Sequence, residues 1–447
     1  MKKQKTTKSL KFPIYLTNGL LALAGSAYIL YPGLRGYAGI QASKFAMFCI
    51  LFGGYLALML LLGVEALVTG KLRPPSLRDV WRRSSVAQKC VLGYWGVSAV
   101  STLLSQYRTE ALLGMTRNEG LLTISIYCAC FLCVSSFARP RRYLVALLGT
   151  TMSVFAAICI WQLCGGNPLG LYPSGTNYFG AGVDYAGEYL GTIGNADLTA
   201  ALLSMAILIF AVVLIKGKDS RRYLLLIPIA LCLAALLLSG VRSGVLAVLL
   251  SALFAVPTAV AENKRVRRGL ILGAAAVLLA VLLLVYNSHA ASGTVYELSR
   301  ILHGDWQEDF GSGRIAIWKR VLALVPRHLW LGTGPDTMRA ASIVWGYREV
   351  NGVDVGVLID VAHNEYLNIL YHQGVFALLF YLAALCASLV QWIRCAGRDA
   401  AVAACGTGVL SYMIWAFFGF SMCQTAGIFW LVFALLDSAL DKGEVTT

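Results

Sequence analysis

Apolar runs of about twenty residues, repeated along the whole chain, constrain this sequence more than any other feature. A helix rises about 1.5 Å per residue, so about 20 apolar residues cross the ~30 Å hydrocarbon core of a bilayer. Such runs occur near 12–31, 44–69, 87–105, 119–138, 143–164, 193–215, 221–240, 243–261, 269–287, 366–393, 400–420 and 424–441, which predicts twelve spans. In hydrocarbon each backbone N–H and C=O must find its partner within the segment, so these runs fold as helices. The expected fold class is all-α, a polytopic integral membrane protein with about 12 transmembrane helices. Composition agrees: the chain is 58% hydrophobic and 13% charged, with a mean hydropathy of +0.70. That is too apolar for a soluble globular protein.

Basic residues orient the map. With MKKQKTTKSLK inside, 25 of the 37 Lys and Arg fall in predicted cytoplasmic segments, and seven of the other 12 lie in one long loop, 288–364. Short loops thus alternate between rich and poor in Lys and Arg, as the positive-inside rule requires. The net charge of +15 is this topological bias plus attraction to anionic lipid, not a nucleic-acid patch. Both termini are expected in the cytoplasm. The first run lacks a small-residue cleavage site and reads as a span, not a removable signal. The chain is expected to form one membrane domain: helices 1–9 over 12–287, an extracytoplasmic loop over 288–364, and helices 10–12 over 366–441.

The twelve cysteines fall almost entirely within spans, where they act as small apolar residues. Cys128, Cys130 and Cys133 include a C-x-x-C with no matching ligand pair elsewhere, so no metal site is read there.

Two outer regions are large enough for chemistry: 165–192, which lacks Lys and Arg, and 288–364. The second carries eight acidic and seven basic residues, so an anion bound there needs particular arginines. Within it, GSGRIAIWKRVLALVPRH predicts a helix. Ser312 is placed to cap it, and Ile315, Trp318, Val321, Leu322 and Val325 share a face. That face could float in the outer leaflet. Arg314, however, sits in the first turn, where it opposes the helix dipole; a bound anion would offset that cost. Arg242, in a tight outer reversal between spans, either snorkels or faces a polar cavity. Asn195 and Asp197 mark the outer start of the sixth span, where one of them can be a cap and both can wall a pocket. His363 opens the tenth span, with Asn364 as its expected N-cap. A helix start and nearby arginines favour the neutral imidazole, the form a general base needs.

The segment HNEYLNILYHQGVFALLFYL resembles the hallmark His-Asn-x-Tyr-Leu stretch of the O-antigen ligase and polymerase superfamily. SGRIAIWKRVLALVPRHLWLGTGPDTM is similar to its Gly-Arg-x-x-x-Trp segment, SGVRSGVLAVLL to its Ser-Arg turn, and GTIGNADLTAALL to its Gly-Asn-x-Asn motif, with Asp197 in place of the second Asn. The resemblance implies a glycosyltransferase that takes a glycan from a polyprenyl (undecaprenyl) diphosphate carrier and joins it to an acceptor hydroxyl with inversion. It places the enzyme in a bacterial cytoplasmic membrane with the active site outside. His363 is the expected base. Arg242 and Arg314 are the expected diphosphate ligands, with Arg300 and Arg339 next in line, and Asn195, Asp197, Asn364 and Tyr366 as substrate contacts. No metal or other cofactor is expected, because no carboxylate cluster suits Mg²⁺. Ligase, polymerase and protein-directed enzymes share these motifs, so the glycan, lipid, cell-wall or protein acceptor stays open. A lipid-linked oligosaccharide flippase is the rival class; it calls for broken helices and mid-span polar residues, and Glu65, Gln162, His372 and Gln373 are the few candidates.

Overall fold

The structure, a computed structural model, describes residues 11–444 apart from 35, 37–38, 72–75, 172–190, 351–352 and 398. Most of the outer region 165–192 and the N-terminal Lys2, Lys3, Lys5 and Lys8 therefore lie outside the described residues.

Each predicted span falls on a helix. In chain order these and the connecting helices are α1 (Lys11–Leu23), α2 (Ile40–Val68), α3 (Leu77–Arg83), α4 (Val86–Leu104), α5 (Arg108–Leu113), α6 (Leu121–Phe137), α7 (Arg142–Leu163), α8 (Ala196–Lys216), α9 (Leu226–Leu238), α10 (Arg242–Val260), α11 (Lys264–Tyr286), α12 (Gly293–Leu302), α13 (Arg314–Leu324), α14 (Glu365–Cys395), α15 (Ala400–Ala416) and α16 (Cys423–Glu444). Among the described residues, eight helices are long and apolar enough to cross a membrane, with α9 counted together with the turn before it, while α6 and α15 are apolar but shorter. The chain is an all-α polytopic membrane protein; eight spans is the number that length and composition establish.

Helices α8 and α16 are the most enclosed, with 72% and 78% of their most apolar stretches buried, whereas α11 buries only 6% and turns its Leu and Val residues outward. An apolar helix that neighbours leave bare belongs against lipid. Small residues bring α8 and α10 together: a Cβ on Gly244 would press into Ala200 and Leu236, the close approach that membrane helices use for dispersion contacts. The starts of α8 and α10 are therefore neighbours.

The 288–364 region folds on its own small core. Ile317, Val321 and Val325 pack with Met338, Ile359 and Ala362, and with Leu367 and Tyr371 of α14. The region also holds an antiparallel hairpin, β1 (Val344–Val350) and β2 (Val353–Leu358), where only short helices were expected. The expected face of α13 is partly corrected: Ile315, Val321 and Val325 are buried, but Leu322 is 51% exposed and Ile317 takes its place inside. This helix packs on protein, not on the outer leaflet.

α14 is broken. Gly374 has φ 82° and ψ 179°, so helices on either side of it meet at a kink. An unbroken helix would pair the carbonyls of Tyr371 and His372 with the N–H groups of Val375 and Phe376. Those carbonyls instead accept from Thr333 (3.2 Å) and Gly334 (2.8 Å), and Val375 N–H donates to Leu329 O (2.8 Å). The turn-rich LWLGTG stretch thus replaces the hydrogen bonds the break removes. Side chains would prevent this: a Cβ on Gly374 would strike the Trp330 backbone, and one on Gly332 the His372 backbone.

Candidate functional site

His363 lies at the head of α14 with φ 48°, a left-handed conformation uncommon outside glycine. Neighbouring bonds hold it there. Asn364 caps the helix, its side chain accepting from Leu367 N–H (3.0 Å). Asn368 Oδ1 accepts from Ala362 N–H (2.8 Å), and Trp318 Nε1 donates to Ala362 O (2.9 Å). The imidazole meets Phe420 edge-on at 5.0 Å, and its Nδ1 is buried without a hydrogen-bond partner. Burial, then the charges of Arg314 and Arg117, push its pKa down to about 4, with Asp360 opposing them. The imidazole is neutral at pH 7.

Arg314 is the first residue of α13. The cap before it is Gly313 in the left-handed region, with no side-chain cap bond, so Ser312 does not cap this helix. Its guanidinium donates to Phe418 O (3.1 Å), Gly311 O (3.1 Å) and Asp197 (3.2 Å). Of five N–H groups, two remain for a ligand. Asp197 thus contacts Arg314 across the fold, while Asn195 caps α8 by accepting from Leu198 N–H (3.0 Å). The Arg314–Asp197 pair joins two separate stretches that the sequence marked as polar.

Arg117 is the member that sequence reasoning missed. It pairs with Asp360 at 2.7 Å and lies over the ring of Phe420, 5.0 Å from its centroid, the same ring that His363 meets. Its loop is pinned by Asp336, whose carboxylate accepts from the N–H groups of Thr116 (3.1 Å), Arg117 (2.8 Å) and Glu119 (3.4 Å) and from Thr116 Oγ1 (3.0 Å). A signal was available: an arginine in a short loop that the charge map assigns to the outside runs against the positive-inside rule.

The other expected residues are more dispersed. Arg242 is exposed at the first residue of α10, beside the start of α8. Arg300 is bound to Asp305 at 2.5 Å on α12. Arg339 is exposed on a short turn, Met338–Ala341. Tyr366 donates its hydroxyl to Met413 O (2.7 Å), tying α14 to α15. Among the described residues no three of His, Cys, Asp and Glu group so as to hold a metal.

Residues 227–382 match the family model described as O-Antigen ligase. The stretch includes Arg242, Arg314 and His363, and stops short of Arg117 and Asp197 on the N-terminal side. A search of curated proteins finds no match. Over residues 227–382 the chain is thus similar to the O-antigen ligase family, which supports a ligase-like role in polysaccharide assembly.

Proposed function

We propose that this protein transfers a glycan from a polyprenyl diphosphate carrier to an acceptor hydroxyl at the outer face of a bacterial cytoplasmic membrane, with 288–364 as the catalytic loop. The observation that carries the reading is a neutral His363 set between Arg314 and Arg117 at the head of a membrane helix. With Nδ1 buried, Nε2 is the nitrogen available to a substrate. It takes the acceptor's hydroxyl proton as that oxygen attacks the anomeric carbon. The bond to the diphosphate breaks, its electron pair leaves with the phosphate oxygen, and the carbon inverts. Arginine forks suit the diphosphate. The two unused N–H groups of Arg314 supply one, and Arg242, on the neighbouring helix start, a second. Charge growing on the leaving oxygen strengthens these contacts in the transition state, so no metal is called for. Arg300, committed to Asp305, ranks below Arg339 as a further contact.

A flippase is the second reading, favoured by the break at Gly374. One assay separates them. Purified protein in nanodiscs, given a polyprenyl-diphosphate glycan and acceptor, releases lipid diphosphate if it is a transferase; a flippase only relocates the donor. His363→Ala should lower release by about 10²–10⁴-fold with normal insertion and melting. Activity within about threefold of wild type, far below the typical loss of a general base, removes His363 from the reaction.

A further inference from the structure

The leaflet contact that α13 does not make is open to α12. Val295, Leu298 and Leu302 follow at i, i+3 and i+7, which puts them on one face of a helix that turns 100° per residue. That face is turned away from the protein: the three are 46%, 37% and 39% exposed. Glu297 and Arg300 lie on the opposite side, where Arg300 is held by Asp305. A helix with an uncovered apolar stripe and a charged back lies in the plane of a membrane interface.

Its position agrees. α12 folds back against the C-terminal end of α11, the span its neighbours leave bare. Ser299 Oγ donates to Tyr286 O (3.4 Å), and the ring of His303, the residue that ends α12, stacks on Tyr286 at 4.0 Å. The stripe thus continues the lipid-facing surface of α11, where Leu283 and Leu284 are exposed. The other side of α12 reaches the candidate site. Glu297 accepts from Gly311 N–H (3.1 Å), Tyr296 meets the buried ring of Phe310 edge-on at 5.9 Å, and Gly311 O accepts from Arg314 (3.1 Å). Two hydrogen bonds therefore connect α12 with the arginine. We propose that α12 is a membrane-docking helix: it seats Val295, Leu298 and Leu302 among the acyl chains of the leaflet on the side of 288–364, and holds the turn that bears Arg314 at the height of the headgroups. The docking stands by itself; that Arg314 there meets a lipid-linked donor rests on the transfer reaction proposed above.

The test places the full chain in nanodiscs with a phospholipid that carries a trifluoromethylaryl diazirine near the top of its acyl chain, and maps the adducts after photolysis. Adducts are expected on Val295, Leu298 and Leu302 as well as on α11, and not on Glu297 or Arg300. In Leu298→Asp, an exposed position that carries little internal packing, labelling of 293–302 should fall at least about threefold, what withdrawing part of one leucine from lipid amounts to, with melting unchanged. Absence of adducts from the stripe, equal labelling of both sides of α12, or labelling undiminished in Leu298→Asp overturns the docking. The same variant should raise KM for a long-tailed donor in nanodiscs and leave KM for a short-tailed, water-soluble donor at the wild-type value, a split that damage to the site itself does not produce. Both KM values unchanged, or both raised alike, would remove the role in setting the height of Arg314. A wild type that labels on the stripe but releases no lipid diphosphate sinks the transfer reaction and not the docking.

Discussion

The acid limb of the transfer reaction should report His363. Held at about 4 by burial, Arg314 and Arg117, the imidazole is about 97% neutral at pH 5.5; an unperturbed histidine of pKa ≈ 6.5 would be roughly 9% neutral. A base at this position therefore keeps nearly its full rate at pH 5.5 and loses it only as pH falls through 4, a difference of about tenfold from an ordinary histidine. Two substitutions should move this limb in opposite directions. Arg117→Gln removes a cation that disfavours imidazolium, so the midpoint rises. Asp360→Asn removes the carboxylate that opposes that cation, so the midpoint falls. Arg117 and Asp360 are about a quarter exposed (23% and 28%), so both shifts should shrink as salt is added. The assay is kcat/KM for lipid diphosphate release from pH 3.5 to 8 at low and high salt. A wild-type limb near 6.5, or two variants that move it the same way, would refute the assignment of His363 as base.

Three further outcomes are expected. Transfer should survive excess EDTA; activity that vanishes with chelator and returns with a divalent ion would sink the arginine account of the leaving group. Arg314→Lys should insert normally and lose most transfer together with donor affinity, because an ammonium cannot reproduce the planar fork; Arg242→Lys should do the same if Arg242 grips the diphosphate, and a fully active Arg242→Lys would make that residue a lipid anchor. Gly374→Ala combines a backbone conformation costing about 1–3 kcal/mol outside glycine with a collision against the Trp330 backbone, so its thermal midpoint should fall clearly below that of Gly273→Ala, where a Cβ meets open space.

How much of this was legible depends on how local each signal is. Span positions were readable because hydropathy accumulates over twenty adjacent residues, and the caps Asn195 and Asn364 because capping acts within one turn. Arg314 was readable as a charge at the wrong end of a helix; its partner Asp197 was flagged for another reason, and only the fold brings the two together. Arg117, Glu119 and Asp336 come from loops far from His363 in sequence, and no spacing rule connects them. The hairpin carried a signal that went unused, Asn351-Gly352 between stretches rich in valine. The break at Gly374 was not readable, since glycine is common in unbroken membrane helices. Its cause is the backbone of 329–334, which the sequence does not place beside it.

The joint at Gly374 has a bearing on membrane thickness. Residues 375–395 number 21 and, as helix, measure about 31 Å, enough alone for the ~30 Å hydrocarbon layer. The turns from Glu365 to Gln373 then sit above that layer, stitched by backbone hydrogen bonds to 329–334 and sharing the small core of α13. A thinner or thicker bilayer is met by tilt of a span. Here the tilting member ends at the glycine, while His363 and Arg314 ride together on the part beyond it. The distance between them is thus set by the loop's own packing, and the head proposed to carry the reaction would keep its geometry in membranes of different depth.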